Sequence, residues 1–533
     1  MVTVNKTLGK ILDEAAEKFP DKDVILFENR KLTYGELNER TNEFALGLLK
    51  LGLKKGDKVG LWMSNYPEWV IAYFGIAKAG GVVVPMNTRY KTHELEYILD
   101  NSEATTLIMV DKFVGIDFVE MANKVKGNLP NLKNIIVMGE PDEDMYEFYE
   151  VCDEGKKWEE SEELQKRREN LDPEDCVFIL YTSGTTGAPK GAMLSHNNIG
   201  TNARDVTGVL KTTEDDRFLL AVPFFHCFGC VMGVLGSIYY GASMVPMVVF
   251  KAEETMELIE KHNVSILYGV PTMFVLELEA FRKRGYNIDS LRTGIMAGAP
   301  CPEEIMKGVM NEMHCNVSIA YGLTEASPVI TMTRFDDSIE KRVETVGKPL
   351  PGIEVKIVDD QHKRVPAGTR GELICKGYNV MMGYYKMPGK TEETIEDGWL
   401  YSGDLAVEDE EGYYKITGRK KDMLLVGGFN VYPREIEEFL FTNPKVQNAS
   451  VIGLPDNVFG EVVMAYLIPE KGAELRPEEI VKFCKGEIAN FKVPWYVKVV
   501  DEMPMTASGK IQKFKLREEA EKLLDKGELK KLK

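Results

Sequence analysis

The sequence has 533 residues, 44% hydrophobic and 28% charged, which is typical of a globular protein. This length exceeds what one hydrophobic core usually organises, so at least two domains are expected. The 84 acidic residues outnumber the 66 basic ones and give a net charge of −18, which argues against nucleic acid or an anionic membrane as the main partner. Charges appear from Lys6 onward before any apolar run of signal-peptide length, and eight cysteines are scattered along the chain, so a cytoplasmic protein with reduced thiols is expected.

Apolar periodicity along the first 300 residues predicts alternating helices and strands. Residues at helical spacing predict helices over 8–19, 34–51 and 66–79. Short apolar runs predict strands over 58–63, 81–85, 105–109, 134–138, 176–181, 266–269 and 294–297. The charged stretch 154–175 is interpreted as a solvated helix and loop before the strand at 176. This order predicts parallel sheets covered by helices.

Residues 218–250 contain no Asp, Glu, Lys or Arg, a run longer than the roughly 20 residues that span a bilayer. A membrane-spanning segment is therefore one hypothesis. Pro223, His226, Pro246 and four glycines interrupt the run, which favours a buried strand, loop and helix and no integral membrane segment. Cys227 and Cys230 form a C-x-x-C pair in this run, but no second such pair lies nearby, so a redox or metal site is not expected.

Beyond residue 346 short strands predominate. Strands are predicted over 354–358, 371–375, 413–417, 449–453 and 462–468, and helices over 433–441, 477–489 and from about 512. The predicted fold class is α/β. A large N-terminal domain of helix-covered, mainly parallel sheets with a small β-rich subdomain occupies 1–419, and a small α+β C-terminal domain occupies 422–533. The boundary is placed at Lys420 and Lys421.

The stretch 181–191 follows the apolar strand predicted at 176–181 and predicts a loop that binds anions. Its members from 182 to 187 are all glycines or hydroxyl residues, namely Thr182, Ser183, Gly184, Thr185, Thr186 and Gly187. Glycines let several backbone N–H groups converge, hydroxyls add donors, and Lys190 supplies a charge that matches phosphate. Only two residues separate Gly184 from Gly187, so this is not a Walker motif. The alternative is a solvated linker.

The order of residues from 181 to 191 resembles the phosphate loop of the adenylate-forming superfamily, which includes acyl-CoA synthetases, luciferases and peptide-synthetase adenylation domains. That loop reads Tyr-Thr-[Ser/Thr]-Gly-[Ser/Thr]-Thr-Gly-x-Pro-Lys-Gly, and every position matches. Further segments resemble the superfamily in its order over most of the chain. The resemblance implies ATP, Mg²⁺ and coenzyme A as small-molecule ligands, a C-terminal domain that rotates about Lys421, and a homodimer.

The segment Tyr321-Gly-Leu-Thr-Glu325 is the most specific of these further motifs. An aromatic ring can stack on a purine, Gly322 permits close approach, Thr324 can donate to the α-phosphate, and Glu325 offers Mg²⁺ a hard oxygen ligand. The alternative is a turn with an N-capping threonine. The resemblance also implies Thr182 as a magnesium ligand and a turn that packs against adenine, formed by Gly298, Ala299 and Pro300.

The segment 223–229 resembles the part of the family that borders the acid. His226 is implied to lie beside the carboxylate, although a lone histidine on an apolar run is also common as a core residue. The implied lining of the acyl pocket comprises Phe228, Gly229, Met232, Ala320, Ser327 and Val329. These positions and their neighbours are mostly apolar and include no basic residue that could pair a second carboxylate, which favours an uncharged, mostly aliphatic acid.

Three motifs near the C-terminus complete the resemblance. Asp404 follows a tight turn and suits two ribose hydroxyls, and Arg419 is implied to contact ribose or phosphate. Gly427 and Gly428 resemble the acyl-CoA synthetase loop that admits the pantetheine thiol. Lys510 stands in Pro504-Met-Thr-Ala-Ser-Gly-Lys510, where a mobile ammonium lowers the repulsion between carboxylate and α-phosphate. The alternatives are ordinary turns and a solvated linker.

These expectations combine into an ATP-dependent acyl-CoA ligase that activates a medium- to long-chain fatty acid as acyl-AMP and transfers it to coenzyme A. No nucleophilic Ser or Cys is required. One alternative is an aryl or short-chain acid CoA ligase, and one from a different class is a membrane-embedded fatty-acid transporter that uses the uncharged residues 218–250. Another is a nucleotide-binding protein without catalysis, which Lys510 disfavours because a pure binder does not need it.

Overall fold

A computed structural model describes residues 3–158, 162–182, 189–299, 301–427, 429–456, 458–506 and 511–533. Within them the chain forms two compact units. The large unit comprises residues 1–355 and 375–400, and the small unit comprises residues 356–374 and 401–533. Both units combine helices with sheets, so the predicted α/β class with a large N-terminal part and a small C-terminal part is confirmed.

Two large sheets form the frame of the large unit. In the described residues the first has nine strands in the order Lys348–Pro349, Val329–Met332, Asn316–Gly322, Thr293–Ala297, Ile266–Gly269, Arg217–Leu220, Ser243–Pro246, Asp23–Phe27 and Arg30–Thr33. The six strands from Asn316–Gly322 to Asp23–Phe27 are parallel, and antiparallel strands extend the sheet at both ends. Parallel strands bring their carboxyl ends to one edge of the sheet, where ligands of such folds usually bind.

The second sheet has eight strands in the described residues, in the order Gly383–Tyr384, Lys190–Ser195, Cys176–Thr182, Val82–Pro85, Lys58–Trp62, Ala104–Val110, Asn134–Met138 and Tyr146–Glu147. Its strands are parallel from Cys176–Thr182 onward, whereas the first three strands pair antiparallel. A separate two-residue ribbon pairs Lys112–Phe113 with Ile116–Asp117. The prediction of mainly parallel sheets is confirmed.

Helices of the large unit cover these sheets. Their bounds are Leu8–Lys18, Tyr34–Lys50, Pro67–Lys78, Thr92–Ser102, Phe118–Lys126, Phe148–Lys156, Glu163–Glu169, His196–Val209, Phe228–Leu235, Gly236–Tyr239, Ala252–His262, Pro271–Arg284, Glu303–Asn311, Thr324–Ala326, Ile339–Glu344 and Pro388–Thr394. Phe228–Leu235 is a π-helix and Thr324–Ala326 a 3₁₀ turn. One face of the nine-stranded sheet packs on three of the α-helices through a buried cluster that includes Leu267, Phe274, Met296 and Met306. Burial of this apolar surface is the main stabilising contribution.

The uncharged run 218–250 forms a buried strand, helix and strand. It comprises the end of Arg217–Leu220, the helical segment Phe228–Tyr239 and the strand Ser243–Pro246. The predicted buried strand, loop and helix are therefore confirmed. Among the residues that the structure describes, no helix combines the length and apolarity needed to cross a bilayer.

Short strands follow from residue 353, as predicted. Their bounds are Ile353–Val358, Gly371–Gly377, Ile395–Glu396, Trp399–Glu408 and Tyr414–Arg419. The C-terminal sheet orders its strands as Phe429–Val431, Leu424–Val426, Gly460–Pro469 and Val446–Asp456, with Tyr496–Val499 beside Gly460–Pro469. Helices Pro433–Phe441, Pro477–Cys484 and Lys513–Asp525 and the 3₁₀ turns Lys420–Asp422 and Asn490–Lys492 complete this region.

The helix predicted over 477–489 is wrong at its end, because it stops at Cys484. Lys485 leaves the helical conformation with ψ 123°, and Gly486 has φ +88°. A glycine in the left-handed region commonly ends a helix because it lacks the Cβ that would clash there. The apolar spacing continues past this point but does not override the turn.

Candidate active site

The two ends of the predicted phosphate loop lie side by side in the eight-stranded sheet. Thr182 ends one strand, Lys190 begins the next, and the two residues are paired across the antiparallel ladder. The Thr182 hydroxyl donates to the carbonyl of Lys190 at 3.3 Å. The predicted loop residues Ser183, Gly184, Thr185, Thr186 and Gly187 lie outside the described residues. The hairpin therefore fixes where the loop begins and ends.

A hydrogen-bonded network joins Lys190 to Glu325 through Tyr384. The Lys190 ammonium donates to the Tyr384 hydroxyl at 3.2 Å, and that hydroxyl donates to Glu325 Oε1 at 2.8 Å. Thr182 Oγ1 lies 3.5 Å from the same carboxylate oxygen. Three residues singled out from two separate motifs thus meet, although 143 residues separate Thr182 from Glu325. Tyr384 was not predicted.

Glu325 is held by the backbone around it. The 3₁₀ turn Thr324–Ala326 directly follows the strand that carries Tyr321, and the Met381 N–H donates to the Glu325 carbonyl at 2.9 Å. A Cβ on Gly322 would lie 1.8 Å from the carbonyl oxygen of Pro328. Gly322 therefore permits a close approach of this chain's own backbone. That approach sets the direction in which Thr324 and Glu325 leave the sheet.

The turn predicted to pack against adenine lies one strand away. Gly298 and Ala299 are exposed and directly follow the strand Thr293–Ala297, whose neighbour is the strand carrying Tyr321. Ala297 is paired with the buried Ala320 in the register of the two strands. Pro300 lies outside the described residues. The adenine turn and the Tyr321 motif are therefore adjacent at the carboxyl edge of the same sheet.

His226 lies close to Thr324 through Cys227. The Cys227 sulfur is 3.7 Å from His226 Nδ1 and 4.0 Å from Thr324 Oγ1. His226 is only partly buried, and its Nδ1 accepts a hydrogen bond from the Phe228 N–H at 3.2 Å. This acceptor role places the proton of a neutral ring on Nε2. Because of its partial burial, His226 is in part accessible to solvent, whereas the thiol of the neighbouring Cys227 is buried.

The predicted acyl-lining residues are buried, and three of them, Phe228, Gly229 and Met232, lie on a π-helix. Gly229 packs so tightly that a Cβ would lie 2.2 Å from the Pro223 carbonyl oxygen, and the Phe228 ring lies 5.5 Å from that of Tyr268. Met232 and Val329 are each 2% exposed. Ser327 is fully buried and donates to the Asn379 carbonyl at 2.7 Å. π-Helical turns are rare and often occur at functional sites.

In the small unit Asp404 and Arg419 form an ion pair. Arg419 Nε lies 2.9 Å from Asp404 Oδ1, and the two residues are paired across antiparallel strands. Asp404 is 5% exposed, and its N–H donates at 3.0 Å to the Oγ of Ser402, which lies two residues earlier on the same strand and not in the tight turn predicted before Asp404. Asp404 and Arg419, both predicted to contact the nucleotide, therefore lie side by side in the small unit.

The remaining C-terminal predictions fall on turns. Lys421 lies in the 3₁₀ turn Lys420–Asp422. Gly427 has φ +58° in the turn between two strands, and its N–H donates to the Phe459 carbonyl at 2.7 Å. Gly428 and Lys510 lie outside the described residues.

Glu325 and Thr182 are the predicted protein ligands of magnesium. Within the described residues, no three His, Cys, Asp or Glu side chains converge on a metal-binding position. A single carboxylate and a hydroxyl near the ends of a phosphate-type loop nevertheless fit Mg²⁺, which usually binds through one or two carboxylates together with substrate phosphates and waters. Cys227 and Cys230 are buried free thiols.

Known protein families and relatives match nearly the whole sequence. The profile of AMP-binding enzymes matches residues 12–385, and that of the AMP-binding enzyme C-terminal domain matches residues 435–510. The chain is 44% identical over 533 residues to YngI of Bacillus subtilis (strain 168), provisionally named an acyl-CoA synthetase, with 97% of each chain covered. It is 38% identical over 544 residues to the mitochondrial medium-chain acyl-CoA ligase ACSF2 of Bos taurus, covering 98% of this chain and 88% of that one.

Among solved structures, the anthranilate CoA ligase AuaEII in complex with anthranoyl-AMP is similar with a TM-score of 0.87 and 30% identity, over 98% of this chain and 99% of that one. The o-succinylbenzoate coenzyme A synthetase of Bacillus subtilis in complex with AMP has a TM-score of 0.79 and 26% identity, over 95% and 98% of the two chains. The same fold thus accommodates ligases whose names specify different acids.

Proposed function

Because this chain belongs to the family of AMP-binding enzymes and is an AMP-forming acyl-CoA ligase, we propose that its acid is a medium- to long-chain fatty acid. The observation that carries the proposal is the apolar, uncharged π-helix Phe228–Leu235 beside His226. A free carboxylate would enter near His226 and Thr324, and an aliphatic chain would follow the apolar side chains. The similarity to a medium-chain acyl-CoA ligase supports the same class.

In the first half-reaction a carboxylate oxygen attacks the α-phosphorus of ATP, the bond to the β-phosphate bridging oxygen breaks, and pyrophosphate leaves. We assign the stabilisation of this charge to Lys190 and the loop 182–187, the α-phosphate contact to Thr324, and the approach of the two anions to Lys510. Bound Mg²⁺ would neutralise phosphate charge, with Glu325 and Thr182 as its protein ligands. Tyr321 and the turn at Gly298 would bind adenine, and Asp404 and Arg419 the ribose.

In the second half-reaction the coenzyme A thiolate attacks the acyl carbon, the bond to the AMP oxygen breaks, and AMP leaves. We propose that Gly427 and Gly428 admit the pantetheine arm and that Lys421 is the hinge between the N-terminal domain over 1–419 and the C-terminal domain over 422–533. The free thiols support a reducing compartment such as the cytosol. A homodimer stays a prediction.

The experiment is acid-dependent exchange of labelled pyrophosphate into ATP without coenzyme A, across acids from acetate to palmitate and with benzoate and anthranilate. We expect exchange to peak at a medium or long chain. Lys510→Ala should lose on the order of 100-fold or more, whereas Lys515→Ala, which removes an exposed lysine of the same region, should keep wild-type exchange. Exchange that peaks with an aryl acid or with acetate would contradict the proposal and indicate that class of acid as the substrate.

A further inference from the structure

We propose that Tyr384 is a positioning residue for adenylation, whose hydroxyl holds the Lys190 ammonium and the Glu325 carboxylate in one arrangement and keeps them from pairing directly. The proposal rests on the proposed function of these two residues. Its structural basis is the hydrogen-bonded network of these three side chains. The Lys190 ammonium and Glu325 Oε1 bind the same phenol oxygen, at 3.2 Å and 2.8 Å respectively.

The phenol hydroxyl can satisfy both neighbours at once. An ammonium can only donate hydrogen bonds and an ionised carboxylate can only accept them, whereas a hydroxyl does both. Tyr384 is 4% exposed, and a phenol carries its proton at neutral pH, so the hydroxyl has a proton to donate to Glu325. The direction of each hydrogen bond is therefore fixed by chemistry.

The backbone fixes the position of the phenol on both sides. Gly383 and Tyr384 form a two-residue strand that pairs with the strand beginning at Lys190, and the Tyr384 N–H donates to Thr391 Oγ1 at 2.9 Å. The Met381 N–H, three residues earlier, donates to the Glu325 carbonyl. One short segment thus contacts the lysine strand through its ladder and the glutamate turn through both main chain and side chain.

Direct pairing of Lys190 with Glu325 would cancel the charges that their proposed roles require. A flexible lysine next to a carboxylate in a partly buried site is attracted to it strongly, because the local dielectric is lower than in water. With the phenol between them, the lysine satisfies part of its hydrogen-bonding capacity without neutralising the carboxylate. The ammonium also lies 4.2 Å from the centroid of the Tyr384 ring, within cation–π range.

The test compares three variants of the full-length chain. Tyr384→Phe removes the hydroxyl and keeps the ring, Tyr384→Leu removes both, and Tyr385→Phe is the matched control. Tyr385 is the next residue, and its hydroxyl donates to Glu103, away from the network. Pyrophosphate exchange gives kcat and KM for ATP, and calorimetry with a non-hydrolysable ATP analogue, with and without Mg²⁺, gives affinity without turnover.

For Tyr384→Phe we expect kcat/KM for ATP to fall about 10- to 100-fold, as for loss of a hydrogen bond to a charged group. KM for the acid should change less than 2-fold. Tyr384→Leu should weaken binding of the analogue by a further few-fold, and Tyr385→Phe should match wild type. A Tyr384→Phe enzyme with wild-type kcat/KM would overturn the inference. Loss of exchange in the wild type itself would instead count against the proposed function.

A double-mutant cycle with Glu325→Gln distinguishes positioning from simple loss of structure. If Tyr384 acts through Glu325, Tyr384→Phe should cost less than about 3-fold when Glu325 is already replaced. Full additivity of the two losses would show that the tyrosine acts elsewhere and would overturn the proposal. Because each comparison is made within one background, a general loss of stability cancels from the result.

Discussion

Two lysines of the large unit, Lys78 and Lys190, occupy opposite kinds of surroundings. Lys78 is fully buried, and its ammonium contacts four oxygen atoms, from Asp13, Asn38, Thr41 and Asn42. Lys190 is half-buried, and in the described part of the chain its ammonium has the Tyr384 hydroxyl as its hydrogen-bond partner and no ion pair. An ammonium has three N–H donors. The N–H donors of Lys78 are thus used within the fold, whereas Lys190 keeps N–H donors that can bind an anion.

The number of hydrogen-bond partners distinguishes a charged side chain that stabilises the fold from one that can bind a ligand. Lys78 joins three helices, because Asp13 lies on Leu8–Lys18, its other partners lie on Tyr34–Lys50, and Lys78 itself ends Pro67–Lys78. Removing Lys78 should therefore affect unfolding, and changing the network of Lys190 should affect turnover.

The largest effect is expected at Glu325, the carboxylate end of the network. Glu325→Gln keeps the shape of the side chain but loses its charge, so we expect kcat for pyrophosphate exchange to fall about 1,000-fold, or about 4 kcal/mol of transition-state stabilisation. The melting temperature should stay within 1–2 °C of wild type, since roughly 0.5 kcal/mol or less of folding energy is involved. A large drop in melting temperature with unchanged exchange would show that Glu325 stabilises the fold and does not serve adenylation.

Glu277 contrasts with Lys78, because in the part of the chain that the structure describes its carboxyl group is buried without polar partners like those that surround the Lys78 ammonium. Its side chain is fully buried on Pro271–Arg284, and both carboxyl oxygens have no hydrogen-bond partner among the described residues. Burial raises the pKa of Glu277 from its ordinary 4.5 to about 8. The folded state therefore holds the proton more tightly than the unfolded state does, and stability decreases as pH rises from about 4.5 to 8.

Glu277→Gln removes this ionisation and should stabilise the fold at high pH. The pKa difference corresponds to roughly 4 kcal/mol at pH 8 and to less than about 1 kcal/mol at pH 5. Urea unfolding at the two pH values measures the difference, with Glu279→Gln as control because Glu279 is exposed on the same helix. Equal stabilities of Glu277→Gln and wild type at pH 8 would mean that the carboxyl has a partner or reaches solvent.

The sequence predicted the framework of the fold because strands and helices were bounded by turn residues. Asn134–Met138, Ile266–Gly269 and Pro433–Phe441 coincide with the predicted bounds. Motif order likewise brought Thr182, Lys190 and Glu325 into one expected site, where the structure places them together. The agreement is strongest where local pattern alone determines the element.

Tyr384 could not be found in the same way. It lies in a two-residue strand that pairs with a segment more than 190 residues earlier. So short an element has no local periodicity from which it could be predicted. Two consecutive tyrosines follow Gly383, and only the alternation of a strand decides which one faces Lys190. Lys78 was missed for a related reason, since a lysine at the end of a helix is typical of an exposed residue, and its burial depends on contacts between helices.

Lys78→Met tests the structural side of the comparison directly. Methionine keeps the apolar stem but removes the ammonium from four polar groups, of which Asp13 and Asn42 keep Arg168, so we expect a loss of about 3 kcal/mol in the free energy of unfolding. The folded enzyme should keep wild-type kcat. Lys124→Met, at an exposed lysine paired with Glu120, should cost less than about 0.5 kcal/mol. A change in kcat without loss of stability would place Lys78 in the catalytic network after all.

The smallest effect is expected for Asp13→Asn, which keeps an oxygen near Lys78 but removes the charge. Burial lowers the pKa of Lys78 to about 7, against the opposing attraction of Asp13 at 2.9 Å. Without that attraction the charged lysine is harder to bury, so we expect a loss of about 1 kcal/mol at pH 6. The loss should shrink at pH 9, where Lys78 is neutral in both folded proteins and the Coulombic part disappears. A loss that is the same at both pH values would show that Asp13 stabilises the cluster through packing or through Arg168, 3.4 Å away, and not through the charge of Lys78.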